Sequence, residues 1–208
     1  MYYLNKCILK ITITLMIGVS LTTQVFAQSS NIEKTILSEG ISVIVIESGG
    51  ETTIRQTALS EIKIASSLSA SGKVYGAKLG NTKRPKFELQ TSIKNDTLFI
   101  KMPSEFTYSS IGVNLYSETV QNQLILPAHI RLIVRKAEHV ILDTELSYVD
   151  IKSAKKVESQ SLELDHYSVV YCEPKTRLKI GGKTKSTFMH KGEGEKILMI
   201  KSDYIKIN

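Results

Sequence analysis

Short alternations of apolar and polar residues recur through the last third of the chain, from Ser147 to Asn208. The members of one series start 19, 20 and 17 residues apart: Tyr148–Ile151, Tyr167–Val170, Thr187–His190 and Tyr204–Ile207. A second, apolar series lies around them: Val140–Leu142, Leu162–Leu164, Leu178–Ile180 and Ile197–Ile200. Recurrence near twenty residues is typical of stacked β-coils. The pattern predicts that Tyr148, Tyr167 and Tyr204 occupy equivalent places in successive coils.

Alternation of period two predicts β-strands along most of the remaining chain. The predicted strands are Ile41–Ile46, Thr52–Gln56, Glu61–Ala65, Phe87–Ile93, Thr97–Met102, Phe106–Tyr116, Gln123–Leu126 and Ile130–Val134. Asn95-Asp96 is a turn pair, so the strands around it should form a hairpin. Gly49-Gly50 ends the first strand, and Pro127 separates the last two because it has no amide donor.

Three segments lack a clear strand pattern. Gln28–Lys34 is polar and is expected to be loose. Ser66–Arg84 is rich in Ser, Gly, Ala and Lys, which favours a loop in which Val74-Tyr75 forms at most a brief strand. Ser153–Glu158 could form one helical turn, but no window carries sustained apolar residues at helical spacing.

The fold class that follows from these patterns is all-β. One coil buries too few large side chains to offset the ordering of its residues, so coils must stack around a shared core. The sequence therefore predicts a parallel, single-stranded β-helix-like solenoid in the repeat region, residues 123–208, and shorter, irregular strands in residues 28–122. An antiparallel β-sandwich is the alternative, because it uses strands at similar spacing.

The first 27 residues have the features of a secretory signal peptide. Lys6 and Lys10 form the positive region, Ile11–Leu21 is apolar, and Val25-Phe26-Ala27 offers a small residue at the cleavage point. An uncleaved membrane anchor is the alternative, although the apolar run is shorter than the roughly 20 residues of a membrane span. Residues 28–208 are then a single β domain in the periplasm, at the outer-membrane surface or outside the cell.

The charge excess is modest: 27 Lys and Arg against 20 Asp and Glu, a formal net charge of +7. Much of it belongs to the last coils, from Lys175 onward. Lysines there could protect an exposed terminal strand from pairing with other chains, or contact an anionic glycan or a membrane surface. Export and the lack of a recognition motif argue against nucleic acid. Cys172 is the single cysteine after residue 27, so no internal disulfide forms and a small buried side chain is expected.

Coil spacing also provides candidate binding residues. With about nineteen residues per coil, Lys152, Tyr171 and His190 would lie in one outward column. Lys183 and Lys185, in the basic terminal coils, are the other candidates. A solvated surface role is the alternative for all five. The four histidines have no metal-ligand spacing, so no metal site and no cofactor are predicted.

Four acids lie near the predicted strands at outward positions: Asp143, Asp150, Glu163 and Asp165. Coiled β-proteins that cleave polysaccharides use acids on an exposed sheet face. A solubilising role is favoured here because the alternation places each acid outward, and no catalytic residues are predicted.

Three further stretches support a family resemblance: Gly40–Val45, Asn95–Ile100 and Leu124–Leu132. They resemble the opening strand, the turn with its Thr/Leu strand, and the entry into the repeats of secreted Bacteroidetes proteins with auto-transporter adhesin heads or adhesin-like domains. The resemblance covers most of residues 28–208. It implies an exported, right-handed parallel β-solenoid with no established activity and no catalytic residues. Asp96-Thr97-Leu98 also resembles the triplet glycosylated in such proteins.

These expectations favour a non-enzymatic exported protein that binds a surface glycan or another envelope protein. A purely structural envelope protein is the second hypothesis, and a carbohydrate-active enzyme on a β-helix scaffold is the third. The sequence implies no nucleic-acid partner and no membrane span after signal cleavage, and it leaves the oligomeric state open.

Overall fold

The protein is represented by a computed structural model that describes residues 29–72, 86–110, 113–159 and 162–208. These ranges contain fourteen β-strands and one 3-10 turn at Leu164–His166, which confirms the all-β prediction. The strands are β1 (Ser29–Leu37), β2 (Val43–Gly49), β3 (Glu51–Thr57), β4 (Glu61–Gly72), β5 (Gln90–Lys94), β6 (Thr97–Ser104), β7 (Phe106–Ser110), β8 (Val113–Pro127), β9 (Arg131–Asp143), β10 (Tyr148–Ser159), β11 (Tyr167–Ile180), β12 (Lys183–Lys185), β13 (Phe188–Lys191) and β14 (Lys196–Ile207). None of the described residues forms a helix long and apolar enough to cross a membrane. The predicted signal peptide and Val74-Tyr75 lie outside the described residues.

Long parallel strands form the centre of one sheet, in the order β9, β10, β14 and β11. β2 and β3 pair one after the other with β9 on its free side, with Gly49-Gly50 between them. Shifts in register divide the long strands at a similar level, after Ile151 in β10 and after Pro174 in β11. We call each long strand, and likewise β2 followed by β3, a rung of the sheet. Each rung therefore has a first half and a second half.

The two halves contribute to one core. The first half aligns Val43–Ile46, Arg131–Val134, Tyr148–Ile151, Ile197–Ile200 and Val169–Cys172. The second half aligns Thr52–Ile54, Val140–Leu142, Val157–Ser159, Ile205–Ile207 and Leu178–Ile180. Alternate, mostly apolar side chains of both halves are buried together. The intervening side chains form an outer face on each half, because successive residues of a strand point to opposite sides.

The rungs do not follow chain order, and the predicted equivalence of the three tyrosines is therefore wrong. β14, the last strand, lies between β10 and β11 and pairs in parallel with both. Tyr148 and Tyr167 begin the first halves of β10 and β11, whereas Tyr204 lies in a second half, opposite Lys156. Phe188–Lys191, from the same predicted series, runs antiparallel beside β11. Segments spaced about twenty residues apart therefore lie in different places: in first halves, in a second half and in an antiparallel strand.

Antiparallel strands close both ends of the parallel array. At one end, β6 and β8 pair in parallel with β2 and β3. They are covered in turn by β5, β7, β4 and β1, which all pair antiparallel. At the other end, β12 and β13 fold back on β11. Stacked β-proteins need such caps, since an uncovered parallel edge could pair with another chain.

Several local predictions have clear outcomes. The hairpin at Asn95-Asp96 is confirmed, because β5 and β6 pair antiparallel and Asn95 has a φ of 56°. The expectation of a loose Gln28–Lys34 is wrong for its described part, which belongs to β1 and pairs with β4. Ser153–Glu158 lies in β10 rather than in a helical turn. β4 continues to Gly72, into the segment expected to be a loop.

Candidate binding faces

The two outer faces of the rungs differ in chemistry. In the second half, inward apolar residues alternate with outward polar ones, as in Tyr204-Ile205-Lys206-Ile207. Segments of the first half are instead apolar at consecutive positions: Ile44-Val45-Ile46, Leu132-Ile133-Val134 and Leu198-Met199-Ile200. Continuous apolar runs are typical of strands covered on both sides. Only one side of these strands packs into the core, so the other presents apolar side chains outward.

We call the outer surface of the first half the aromatic face. One row of side chains, in register across six strands, contains Phe99, Val45, Ile133, Asp150, Met199 and Tyr171. The neighbouring row contains Thr97, Val43, Arg131, Tyr148, Ile197 and Val169. Strands lie about 4.8 Å apart, so each row extends roughly 24 Å across the sheet. Val45 and Asp150 are buried, and the other side chains of the two rows are partly or fully exposed.

Arginine side chains lie over two rings of the aromatic face. The guanidinium carbon of Arg131 is 4.4 Å from the centre of the Tyr148 ring, and that of Arg135 is 5.4 Å from the centre of the Phe99 ring. Both distances are within the range of cation–π attraction. Next to Phe99 is a groove of about 410 Å³ whose lining includes Glu47, Gln90, Thr91 and Lys101. Rings and charged groups are therefore close neighbours on this face.

Asp150 lies in the middle of the aromatic face and is only 5% exposed. Its Oδ2 accepts a hydrogen bond from Lys152 Nζ at 2.5 Å and a longer one from Tyr148 Oη at 3.4 Å. The hydrogen bond to this carboxylate raises the pKa of the Lys152 ammonium group. The Tyr148 side chain is thus held at two points, by Arg131 over its ring and by Asp150 at its hydroxyl.

Tyr171, two strands away from Tyr148, is held in a similar way. Its Oη donates a hydrogen bond to Glu173 Oε2 at 3.1 Å, and Lys201 Nζ is 2.9 Å from the same oxygen. The hydrogen bond from Lys201 lowers the pKa of Glu173, and the Glu173 carboxylate raises the pKa of Tyr171. The phenol therefore remains a hydrogen-bond donor at neutral pH, with its ring fixed on the face.

The structure separates the residues of the predicted binding column. Lys152 and Tyr171 both belong to the aromatic face, but β14 lies between their strands. His190 lies on β13 opposite Val170, a fully buried residue, so its side chain is on the inward side of the sheet. Its Nε2 is buried near Gly192 and has no hydrogen-bond partner among the described groups. The column is not formed, because the insertion of β14 changes which strands are neighbours.

Lys183 and Lys185 lie on β12, the outermost strand at one end of the sheet. Lys185 is opposite Leu178 and Lys183 is opposite Ile180. Opposite residues of an antiparallel pair point to the same side, and Leu178 is fully buried. Both lysines therefore lie on the inward side, at the open end of the core, and not on either outer face.

We call the outer surface of the second half the polar face. One row in register contains Asn31, Ser67, Gln121, Glu51, His139, Lys156, Tyr204 and Arg177. The next row contains Glu33, Ala65, Gln123, Thr53, Ile141, Glu158, Lys206 and Lys179. A groove of about 430 Å³ lies on the part formed by β1, β4, β8 and β3.

His139 bridges two carboxylates at the centre of the polar face. Its Nδ1 is 3.2 Å from Glu51 Oε2, and its Nε2 is 2.8 Å from Glu158 Oε2. Lys156 Nζ is also 2.8 Å from Glu158. Burial acts to raise the pKa of Glu158, but the hydrogen bonds from Lys156 and His139 outweigh it, and the pKa is lowered. Lys156 and His139 are therefore both engaged by this carboxylate.

The four acids considered for catalysis do not converge. Asp143 lies on the second half and pairs with Arg55 at 3.1 Å. Asp150 is on the aromatic face, and Glu163 and Asp165 lie at the 3-10 turn. Glycoside hydrolysis requires two carboxyl groups on either side of one bond, and these four acids do not provide that arrangement.

A different cluster, formed by Glu145, Glu163 and His166, brings three metal-ligating side chains together. Their donor atoms lie within 4.8 Å of one another. His166 Nδ1 is 3.1 Å from Glu145, His166 Nε2 is 3.3 Å from Glu163, and the Lys196 ammonium group also binds Glu145. The imidazole thus contacts a separate carboxylate with each nitrogen, which is the geometry of an ion-pair network. Sequence reasoning missed it because Glu145 and His166 lie in different loops.

Glu145→Gln should lower stability in a pH-dependent manner. The hydrogen bond from Lys196 lowers the pKa of Glu145 from its unperturbed value of 4.5. A lowered folded-state pKa adds stability above the unfolded-state pKa, which is lost as the pH falls through the folded-state value. At neutral pH we expect a loss of at most about 1 kcal/mol, because the pair is partly exposed. Urea unfolding of both proteins from neutral to acidic pH measures it; a difference that persists in acid would contradict this origin.

Cys172 is fully buried, as predicted. Burial raises the pKa of its thiol to about 12. Since the thiolate is the reactive form of cysteine, a neutral buried thiol acts as a packing group in the first half of β11.

Comparison with solved structures finds distant similarity. No protein-family model matches the chain, and no match was found among curated proteins. A candidate cell adhesion protein from Clostridium sporogenes is similar in structure, with 12% identity and a TM-score of 0.43, over 87% of this chain and 100% of that chain. A candidate adhesin from Bacteroides fragilis shows 12% identity and a TM-score of 0.26, over 64% of this chain and 59% of that chain.

Proposed function

We propose that this protein is an exported, adhesin-like module that binds an extended polysaccharide across its aromatic face. One observation carries the proposal: strands of the first half are apolar on both sides, and the outward apolar side chains other than Val45 remain partly exposed. Contiguous apolar surface that solvent can reach marks interaction sites in soluble proteins. A ligand lying along the rows would bury these outward apolar side chains.

The chemistry of the aromatic face suits sugar rings. The apolar faces of a sugar stack on aromatic rings, while its hydroxyl groups need polar partners at the edges. Phe99, Tyr148 and Tyr171 supply rings, and Arg131 and Lys152 supply donors beside them. The contacts that hold both tyrosines in place reduce the side-chain entropy lost on binding. Rows that repeat at about 4.8 Å favour a polymer of similar units over a single small molecule.

The proposal also includes the fold of the protein and its location outside the cytoplasm. The parallel register of the rungs and the antiparallel caps support a β-solenoid, for which the resemblance to adhesin heads implies a right hand. Lys6, Lys10 and the apolar run Ile11–Leu21 support export. The similarity of Gly40–Val45 to the opening strand of adhesin heads supports the adhesin-like role. The protein acts by binding, without catalysis and without a cofactor.

Removing both tyrosine rings should abolish most of the binding. The secreted protein and its Tyr148→Ala/Tyr171→Ala variant are compared on a glycan array and on insoluble polysaccharides. Aromatic contacts contribute about 0.5–1.5 kcal/mol each beyond their area, so we expect the dissociation constant of the bound glycan to rise roughly 10- to 100-fold.

Tyr204→Ala, on the polar face, is the matched control and should leave this binding unchanged. An equal loss in the control would contradict the assignment of the aromatic face. If the unmodified protein binds no glycan, the purely structural role in the envelope is favoured. Cleavage of a bound polysaccharide would favour the enzyme hypothesis.

A further inference from the structure

Three cations lie close together on the polar face, near the end formed by β14 and β11. Lys179 of β11 is directly opposite Lys206 of β14. Arg177 is two residues before Lys179, so its side chain is on the same side of the strand, and it is opposite Tyr204. On its other side, Lys179 is opposite Thr184 of β12. We call Arg177, Lys179 and Lys206 the cationic cluster.

Basic residues of β10 and β14 outside the cluster are neutralised by carboxylates, but the cationic cluster is not. Lys152, Lys155, Lys156 and Lys201 each have a carboxylate oxygen at 2.9 Å or less. For the three residues of the cluster, no described carboxylate lies within 4.0 Å. The cluster is therefore the part of this face where positive charge is left without a partner in the described chain.

Two acids that neighbour the cluster along the strands are already engaged. Glu158 is opposite Lys206 on β10, but its carboxylate is 2.8 Å from both Lys156 and His139. Asp203, next to Tyr204, is 3.4 Å from Lys175. Neither carboxylate is positioned to balance the charge of Lys206 or Lys179.

Two opposite lysines without a carboxylate partner destabilise the sheet. Like charges directly opposite each other on neighbouring strands destabilise the pairing. Lys179 and Lys206 are separated by one strand spacing of about 4.8 Å, whereas a neutral residue at either position would remove the repulsion. An anion bound between them would remove it as well, and that is the role we assign to the cluster.

We propose that the cationic cluster binds a linear polyanion, a sulfated or uronic-acid polysaccharide. Arg177 presents a planar guanidinium group that can bind a carboxylate or sulfate with two parallel hydrogen bonds. The neighbours of the cluster in register are Glu158, Tyr204 and Thr184. With no aliphatic side chain among them to insert into a bilayer, a polymer fits this surface better than a lipid membrane. The cluster lies on a different face from the proposed glycan site, so the two proposals are independent.

Titration calorimetry of the secreted protein with heparin and with polygalacturonate tests the site. The unmodified protein should bind, and its affinity should fall as salt is added, because exposed charges are screened. Lys179→Gln/Lys206→Gln should weaken binding about tenfold. Its melting temperature should equal or exceed that of the unmodified protein, since the repulsion has been removed, which separates lost binding from lost folding.

Lys94→Gln/Lys136→Gln removes the same charge from exposed positions on β5 and β9 and should keep the affinity within about twofold. An equal loss in both double variants would show attraction to net charge only and would overturn the proposal. Binding to anionic lipid vesicles with none to either polymer would also overturn it. Tyr148→Ala/Tyr171→Ala should retain heparin binding, so that failure of one proposal is distinguishable from failure of the other.

Discussion

Gly50→Ala should destabilise the protein by about 3 kcal/mol. Gly50 lies between β2 and β3, where the backbone of Val120 in β8 passes against it. A Cβ atom added at Gly50 would come closer than 3.0 Å to the Val120 carbonyl oxygen, a distance that real Cβ atoms essentially never show. Gly49 is placed just as tightly against Ser104 of β6. Neither neighbouring strand can move away without disturbing its parallel pairing with β2 or β3.

Equilibrium unfolding in urea, extrapolated linearly to water, measures the change in stability. Gly182→Ala is the control, because a Cβ atom there has no neighbour within 4 Å. Its φ of 77° still makes alanine unfavourable, by about 1 kcal/mol. If both variants lost the same stability, close backbone approach at Gly50 would not be the cause.

Lys183→Val/Lys185→Val should make the protein self-associate as its concentration rises. Both lysines lie on the inward side of the terminal strand β12, opposite Ile180 and Leu178. Valine there would extend the apolar core to an edge that pairs with no further described strand, and such an edge is a recognised cause of association between sheets. Lys34 has the corresponding place on β1 at the opposite end. It is opposite Ile64 and donates to Thr91 Oγ1.

Sedimentation velocity over a range of concentrations measures the association. Lys101→Val/Lys136→Val makes the same chemical change on the outer side of β6 and β9, away from the terminal strands. This control should sediment like the unmodified protein. Equal association of both variants would indicate a general effect of added apolar surface, and not the loss of a lysine cap.

The sequence predicted well those strands whose own residues form an apolar run or lie next to a turn residue. The β5–β6 hairpin follows from Asn95-Asp96, and β9 follows from the run after Pro127. β1 was missed because it is an edge strand, in which Ile32 and Ile36 are the only apolar residues that are partly buried. An edge strand needs few apolar residues, so its pairing with β4 leaves little trace in the pattern.

The candidate sites, too, were predicted from the sequence only in part. Lys152 and Tyr171 were selected from coil spacing, and both lie on the aromatic face. The contacts that define that face, Arg131 over Tyr148 and Lys152 on Asp150, could not be anticipated from spacing. One sequence signal was available, however: consecutive apolar residues such as Leu198-Met199-Ile200 indicate a strand with two apolar sides.

By itself, the sequence determined the all-β class, the position of most strands and the burial of alternate residues, because these depend on periodicity within a few residues. The tertiary structure alone decided that β14 enters between β10 and β11, and that its register sets Tyr204 opposite Lys156, on a different face from Tyr148. Apolar strands of similar length can pair in many orders with nearly equal local preference. The order is selected by how well all of them fill one core and how the ends are closed, and both depend on residues far apart in the chain.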